Sequence, residues 1–160
     1  MTVDPAFLGR HEIRTSDAME NLGLRIGEQL RPGDLLILTG PLGAGKTTFT
    51  RGLAEGLGVR GPVQSPTFVI ARTHPSLAGG APLVHVDAYR LGSAAELDDL
   101  DIDFARSVVV IEWGRPMASA VADAWWDIEI ERPVGGDDEL ADEDLDADAP
   151  RFVTVTRVEG

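Results

Sequence analysis

The stretch GPLGAGKTT, from Gly40 to Thr48, holds the residues with the clearest chemical meaning in this sequence. It matches the pattern G-x-x-x-x-G-K-[ST] at Gly40, Gly45, Lys46 and Thr47. Glycines let a backbone wrap closely around a phosphate with its N–H groups turned inward. In such a loop the lysine reaches the β- and γ-phosphates, and the hydroxyl group can ligate Mg²⁺. The spacing therefore predicts a phosphate-binding loop (P-loop) for a nucleotide.

Lys46 is the single lysine in a sequence that contains 13 arginines. Arginine evidently fills the other cationic positions, so a lysine kept here indicates a task that needs a compact point charge rather than a planar guanidinium. The guanine-reading motif of GTPases, [NT]-K-x-D, requires a second lysine, which this sequence lacks. The composition therefore favours ATP as the nucleotide.

Two carboxylates follow apolar runs that read as buried strands. Asp87 ends LVHVD and Glu112 ends VVVIE. Ligands of open α/β sheets bind at the carboxyl ends of the strands, where a P-loop protein also holds its Mg²⁺. We therefore predict that at least one of the two meets the metal or its water shell. His85 shares a strand face with Asp87; an ordinary, partly buried histidine is favoured there over a hydrogen bond to the site.

Two further positions have both a functional and a purely structural interpretation. Ser65-Pro66-Thr67 follows the predicted P-loop helix, where switch proteins place a hydroxyl that senses the γ-phosphate, but a plain strand-entry turn fits equally well. Trp113 can pack beside the nucleotide or in the core. An arginine-rich kinase lid is not evident, and Arg90 and Arg115 are the two arginines that could belong to one.

These residues require strands and helices that place them at one sheet edge. Apolar runs and alternating patterns predict about seven strands with helices between several of them, which indicates an α/β fold with a mixed sheet. A helix with caps at Thr15 to Asp17 is predicted to reach about Leu30, closed by Pro32-Gly33. The other predicted helices are Lys46 to Leu57 and Ala94 to Leu100, and the predicted strands are 10–14, Leu35 to Thr39, Thr67 to Arg72, Leu83 to Asp87, Ser107 to Trp113, Trp126 to Glu131 and Arg151 to Val158.

Composition limits the class of protein. The 160 residues are 43% hydrophobic, contain no cysteine and suit a single domain over 1–160. The net charge is −13, of which eight carboxylates lie in residues 137–148, so the rest of the chain carries −13 + 8 = −5. Such a surface makes strong direct nucleic-acid binding unexpected. Without a secretory signal or a long apolar run, we expect a cytoplasmic protein without membrane contact.

Several motifs in order resemble one family. GPLGAGKTTFTRGLAEGLG, SPTF, HVDAYRL and IEWGRP resemble the TsaE (YjeE) family of bacterial P-loop ATPases, which are needed to make threonylcarbamoyladenosine in tRNA. The resemblance implies a three-layer P-loop NTPase-like domain. It also implies ATP and Mg²⁺ as cofactors and TsaD and TsaB as protein partners. Because no obvious arginine finger or strong base is visible in the sequence, we expect ATP hydrolysis to be slow without a partner.

The same resemblance implies roles for individual residues. Thr47 and Glu112 match the Mg²⁺ ligands, and Asp87 matches an aspartate required for hydrolysis that orders the metal's water or the attacking water. Thr67 matches a switch threonine, and with Lys46 and Asp87 it forms the predicted catalytic set. The predicted nucleotide contacts are Ser16, Gly40, Leu42, Gly43, Ala44, Gly45, Lys46, Thr47, Thr48 and Trp113.

The sequence departs from the family pattern at two places. Pro41 stands where an acidic residue is common, and it removes one backbone donor from the loop. The acidic stretch within about 135–150 reads as an inserted, solvated loop. Two other functions stay open from the residues alone: a small-molecule kinase, and a nucleotide-gated binding module without useful hydrolysis.

Overall fold

The computed structural model describes residues 7–41, 45–61, 71–91, 93–132 and 150–159. Within these ranges, seven strands form one sheet in the order β1-β7-β6-β2-β5-β4-β3. The mixed α/β architecture predicted from the sequence is confirmed. The strands are β1 (Gly9–Ile13), β2 (Leu35–Thr39), β3 (Ala71–His74), β4 (Leu83–Asp87), β5 (Val108–Glu112), β6 (Ala124–Glu131) and β7 (Arg151–Glu159).

The centre of the sheet is parallel and its margins are antiparallel. Strand β2 runs parallel to β5 and β6, and β4 runs parallel to β5. Strands β3 and β7 pair antiparallel with β4 and β6, and β1 pairs antiparallel with β7. Parallel strands present their carboxyl ends at one edge, so the ends of β2, β4 and β5 lie together.

Helices cover both faces of the sheet and give it three layers. Helices α1 (Ser16–Gly27) and α2 (Lys46–Leu57) pack with Leu36 and Leu38 of β2 in one buried cluster. The short helices α3 (Ala94–Asp98) and α4 (Ala118–Val121) contribute to the cluster on the opposite face, with Leu35 and Ile37. Because successive side chains of β2 enter opposite clusters, the continuous apolar run LLIL is explained by burial on both faces.

Four glycines allow α1 and α2 to approach closely. A Cβ placed on Gly23 or Gly27 would overlap the backbone of Phe49 or Leu53 in α2, and one on Gly52 or Gly56 would overlap the backbone of α1. The two helices run in the same direction, since residues later in α1 meet residues later in α2. The beginning of α1 therefore lies beside the beginning of α2.

The predicted helix ends differ slightly from the observed ones. Helix α1 ends at Gly27, and the chain then tightens, with the N–H groups of Gln29 and Leu30 donating to the carbonyls of Ile26 and Gly27. These are three-residue turns of the kind that commonly close a helix. Helix α2 ends where predicted, at Gly58, which adopts the left-handed conformation with φ +76°.

Strands β3 and β4 form an antiparallel pair over their described residues. Strand β3 is described from Ala71 to His74, whereas residues 67–70 of the predicted strand lie outside the described residues. The acidic stretch 137–148 lies outside them as well. No helix within the described ranges is long and apolar enough to span a bilayer.

Candidate nucleotide-binding site

The two predicted carboxylates meet at the carboxyl edge of the parallel strands. Leu38, near the end of β2, is paired in register with Glu112 at the end of β5. Asp87, at the end of β4, is paired with the same Glu112. The chain leaves β2 at Thr39 and starts α2 at Lys46, and Lys46 lies within electrostatic reach of both carboxylates.

The start of α2 offers backbone donors to an anion. Gly45 is its N-cap, with φ +113° in the left-handed region, where a side chain would be strained. Gly45 makes no side-chain cap hydrogen bond at this end of the helix, and the first turn contains no acidic residue. A helix start without a cap has unsatisfied N–H groups and a partial positive charge, which together favour phosphate. The Thr50 hydroxyl donates back to the Lys46 carbonyl, at 2.8 Å, inside the helix.

Lys46 is half-buried and turned toward the loop that it belongs to. Its ammonium donates to the carbonyl of Gly40 and, at 3.4 Å, to that of Pro41. It also lies 4.8 Å from the centroid of the Trp113 ring. Burial lowers the pKa of Lys46, and the carboxylates of Glu112 and Asp87 oppose that shift. The ammonium is therefore placed where a phosphate oxygen can replace the loop carbonyls as its partner.

Glu112 is buried and has a histidine as its partner. The Nε2 atom of His85 lies 2.6 Å from Oε2 of Glu112, and both side chains face the layer of α1 and α2. His85 is fully buried, and Glu112 is 5% exposed. The interpretation favoured from the sequence, an ordinary partly buried histidine, was wrong. The strand alternation that puts His85 on the face of Asp87 was the available signal, but the contact depends on the register of β4 and β5.

Asp87 is half-buried and joins strand β4 to the 3₁₀ turn Ala88–Arg90. Its Oδ1 accepts from the N–H of Tyr89 at 3.0 Å. The carboxylate also lies close enough to Lys46 to favour the charged ammonium. Asp87 is thus held by a backbone bond at the edge that a nucleotide would occupy.

Trp113 forms a wall of the site rather than part of the core. Its backbone has φ +63°, an uncommon conformation for a bulky residue, and its N–H donates to the Leu38 carbonyl at 3.0 Å. The ring is half-buried and meets Tyr89 edge-on, with centroids 5.8 Å apart. Of the two positions considered from the sequence, the structure places Trp113 beside Lys46.

The remaining predicted contacts divide into described and undescribed residues. Thr47 and Thr48 are half-buried in the first turn of α2. Ser16 is the exposed first residue of α1, at the end that lies beside the start of α2; the N-cap is Thr15, whose hydroxyl accepts from Ala18 N–H at 3.0 Å. Leu42, Gly43, Ala44 and Thr67 lie outside the described residues.

Arg115 is engaged with strand β6. Its guanidinium donates to Asp127 at 3.0 and 2.8 Å and to Glu129 at 3.2 Å. The bonds to Asp127, then to Glu129, raise the pKa of Arg115 further above its ordinary range. In the described conformation Arg115 therefore belongs to the sheet surface and not to a lid. The side chain of Arg90 is not among those described.

The donors at this edge fit a Mg²⁺–nucleotide complex. The described residues include no group of three or more His, Cys, Asp or Glu side chains that could hold a metal ion by themselves. Mg²⁺ is usually bound by one or two protein oxygens together with phosphates and water. The hydroxyl of Thr47 and the carboxylates of Glu112 and Asp87 are oxygen donors of that kind.

The sequence matches one family model over most of its length. Residues 13–138 match the model described as "Threonylcarbamoyl adenosine biosynthesis protein TsaE". The chain belongs to the TsaE family. This match includes the P-loop, both carboxylates, His85 and Trp113.

Individual TsaE relatives support this membership. The tRNA threonylcarbamoyladenosine biosynthesis protein TsaE of Streptomyces coelicolor is 54% identical over 141 residues, which cover 86% of this chain and 89% of that protein. TsaE of Mycobacterium tuberculosis is 46% identical over 137 residues, or 80% of this chain and 81% of that protein. The crystal structure of YdiB from Bacillus subtilis superposes with a TM-score of 0.65 at 31% identity, covering 94% of this chain and 86% of YdiB.

Proposed function

We propose that this chain is a Mg²⁺-dependent ATPase subunit that supports formation of threonylcarbamoyladenosine in tRNA together with TsaD and TsaB. The observation that carries the proposal is the convergence of Lys46, Asp87 and Glu112 at the uncapped start of α2. The TsaE names of its relatives supply the pathway.

The residues have distinct tasks in this proposal. The N–H groups at the start of α2 and the Lys46 ammonium bind the phosphates, while Thr47 and Glu112 provide oxygen ligands for Mg²⁺. Bound Mg²⁺ would neutralise charge on the phosphate oxygens. Asp87 would orient the attacking water or a water of a Mg²⁺ shell, and Trp113 keeps the Lys46 ammonium beside the P-loop.

The chain on its own is a slow ATPase in this proposal. Phosphoryl transfer is accelerated about 10³- to 10⁵-fold when an arginine stabilises the charge of the transition state. Among described side chains near the site, Arg115 already donates to Asp127 and Glu129. A partner surface therefore completes the site, which links hydrolysis to docking on TsaB–TsaD.

The charge of the chain agrees with a role in which the partners, and not this subunit, contact the tRNA. With a net charge of −13, the chain repels a phosphate backbone. The tRNA contacts are then made by the partners, and this subunit supplies nucleotide-driven turnover.

Steady-state ATP hydrolysis tests the proposal directly. The purified chain is assayed alone, with TsaB–TsaD, and with the Mg²⁺ removed by a chelator. We expect low turnover alone, a rise of at least tenfold with TsaB–TsaD, and loss of activity without the metal. Rapid hydrolysis alone that does not respond to TsaB–TsaD would contradict the partner-dependent ATPase, and phosphorylation of a hydroxyl metabolite would indicate a kinase instead.

A further inference from the structure

His85 has an environment that burial in the core alone does not explain. It is fully buried on the face of the sheet that α1 and α2 cover, and its Nδ1 atom has no hydrogen-bond partner among the described residues. A buried polar atom without a partner costs free energy that an apolar residue at the same position would avoid. The hydrogen bond in which His85 takes part is the one from Nε2 to Glu112 at 2.6 Å.

The chemistry of that contact assigns its direction. When Glu112 is ionised its carboxylate only accepts hydrogen bonds, so in that state the Nε2–H group of His85 donates a hydrogen bond to Oε2. This bond uses one carboxylate oxygen and leaves the second, Oε1, for a metal ion or its water.

The sheet holds both partners in place. Strands β4 and β5 are paired residue by residue, with His85 opposite Val110 and Asp87 opposite Glu112. His85 therefore lies two residues before Asp87 on β4, and its imidazole contacts Glu112 on β5. Because neither strand can shift without losing the buried core on both faces, the ring is a rigid support for Glu112.

We propose that His85 is a positioning residue that orients the Glu112 carboxylate for Mg²⁺ in the nucleotide complex. The inference rests on the proposed function, since it concerns the same site. Groups that hydrogen-bond a metal ligand commonly change metal affinity by about 10- to 100-fold when they are removed. Binding of the metal-free nucleotide depends on the P-loop and Lys46, so it does not require His85.

Metal affinity measured in the presence of ADP tests this role. Mn²⁺, used in place of Mg²⁺, is titrated into the ADP complex of the full chain and followed by electron paramagnetic resonance. ADP affinity is measured separately with a chelator present. We expect His85→Leu to weaken metal binding about 10- to 100-fold while metal-free ADP affinity stays within about twofold. His85→Gln, which places an amide N–H near the position of Nε2, should recover most of the loss.

His74→Leu is the matched control. His74 is also a buried histidine, but its Nδ1 lies 3.0 Å from the Arg60 carbonyl instead of contacting a carboxylate. This variant should keep wild-type metal affinity. Equal metal affinity of wild type and His85→Leu, or equal losses in His85→Leu and His74→Leu, would overturn the proposal.

A second measurement avoids substitutions and applies even where His85→Leu does not fold. The chain contains three histidines, so the ¹⁵N signals of their rings can be assigned individually. Adding Mg²⁺ to the ADP complex should shift the ring signals of His85 and leave those of His11 and His74 unchanged. Unchanged His85 signals would reject the proposal. If wild type binds ADP with no response to Mg²⁺ of any kind, the proposed function itself fails, and that outcome is distinct from failure of His85 alone.

Discussion

At the scale of single residues, Lys46 is the side chain on which the proposed nucleotide binding should depend most. Its ammonium is half-buried, lies against Trp113 and donates to two carbonyls of its own loop. A phosphate group would replace neutral carbonyl partners with a charged one. The exchange therefore favours a bound nucleotide, and it requires a compact cation that can turn between the two sets of partners.

Substituting Lys46 tests that dependence. Lys46→Ala should weaken ATP binding or hydrolysis by on the order of 2–5 kcal/mol, because it removes the partner of a charged phosphate. Lys46→Arg should restore little of the loss, since the planar guanidinium does not fit the space of an ammonium. Calorimetric titration with ATP gives the affinities, with thermal unfolding as the check on folding. An affinity for ATP that is unchanged in Lys46→Ala would refute the P-loop assignment.

His74 gives the stability of the fold a dependence on pH. Burial lowers the pKa of His74 below its ordinary value of 6.5, the hydrogen bond to the Arg60 carbonyl opposes this, and His85 and Arg72 add to the lowering. Below pH 6.5 the unfolded chain therefore binds a proton that the folded chain resists, and the free energy of unfolding decreases as the pH falls.

The measurement is urea unfolding between pH 7.5 and about pH 5. Wild type should lose stability as the pH decreases through this range, and His74→Leu should show a shallower dependence. The absolute stability of His74→Leu is not the test, because the substitution also changes packing. Parallel pH profiles for the two proteins would show that His74 is not the titrating group.

For single residues, the sequence predicted positions at strand ends better than side-chain contacts. The P-loop spacing and the strand-end positions of Asp87 and Glu112 were readable because apolar runs and glycines mark them. The bond from His85 to Glu112 was not, since it depends on which strands are neighbours and in what register. The same holds for Arg115, whose carboxylate partners lie on β6, 12 and 14 residues away in the chain.

At the scale of elements, close packing of α1 and α2 fixes the helix that carries Lys46. Glycines at Gly23, Gly27, Gly52 and Gly56 bring the two backbones together, and α1 in turn covers the carboxyl edge beside Gly45 through Met19. A Cβ on Gly45 would lie 3.2 Å from Cε of Met19. The position of α2 over the sheet thus depends on small residues that carry no chemistry themselves.

The Gly52→Ala substitution distinguishes the effect of helix packing on stability from the effect of helix propensity, because the two predict changes of opposite sign. Alanine is favoured over glycine in a helix by about 1 kcal/mol, so propensity alone predicts stabilisation. Because the added methyl group would overlap the Glu20 carbonyl of α1, we expect the opposite, a loss of about 1–3 kcal/mol. Urea unfolding measures it. Gly80→Ala, in an exposed loop where the nearest atom is the Ser76 hydroxyl at 3.4 Å, is the control and should change stability little. A stabilised Gly52→Ala variant would contradict the close helix contact.

Most elements followed from local sequence, whereas their arrangement did not. Strands β2, β4 and β5 were predictable because continuous apolar runs mark strands buried on both faces. The end of α1 was placed three residues too late, because Leu30 continues the four-residue spacing although the chain has already left the helix. The insertion of β7 and β6 between β1 and β2 in the sheet order is a tertiary property that the pattern of one strand does not contain.

At the scale of the whole molecule, the negative net charge predicts that the isolated chain does not bind tRNA. The net charge of −13 should prevent stable binding of the polynucleotide, even at low ionic strength where phosphate contacts are strongest. A gel-shift experiment with unmodified tRNA at about 50 mM salt should show no complex with the chain alone. A salt-sensitive complex formed by the isolated chain would overturn the assignment of tRNA contacts to its partners.

The most direct test of a partner-dependent ATPase is the effect of Asp87→Asn on threonylcarbamoyladenosine formed over many turnovers with TsaB–TsaD. The asparagine keeps an oxygen that can accept from the Tyr89 N–H, so the edge of the sheet is preserved. We predict that the variant binds Mg²⁺–ATP within a few-fold of wild type, hydrolyses it at a small fraction of the wild-type rate, and fails to sustain formation of the modified nucleoside. Sustained multiple-turnover modification by a variant that does not hydrolyse ATP would contradict the account and indicate a nucleotide-gated binding module.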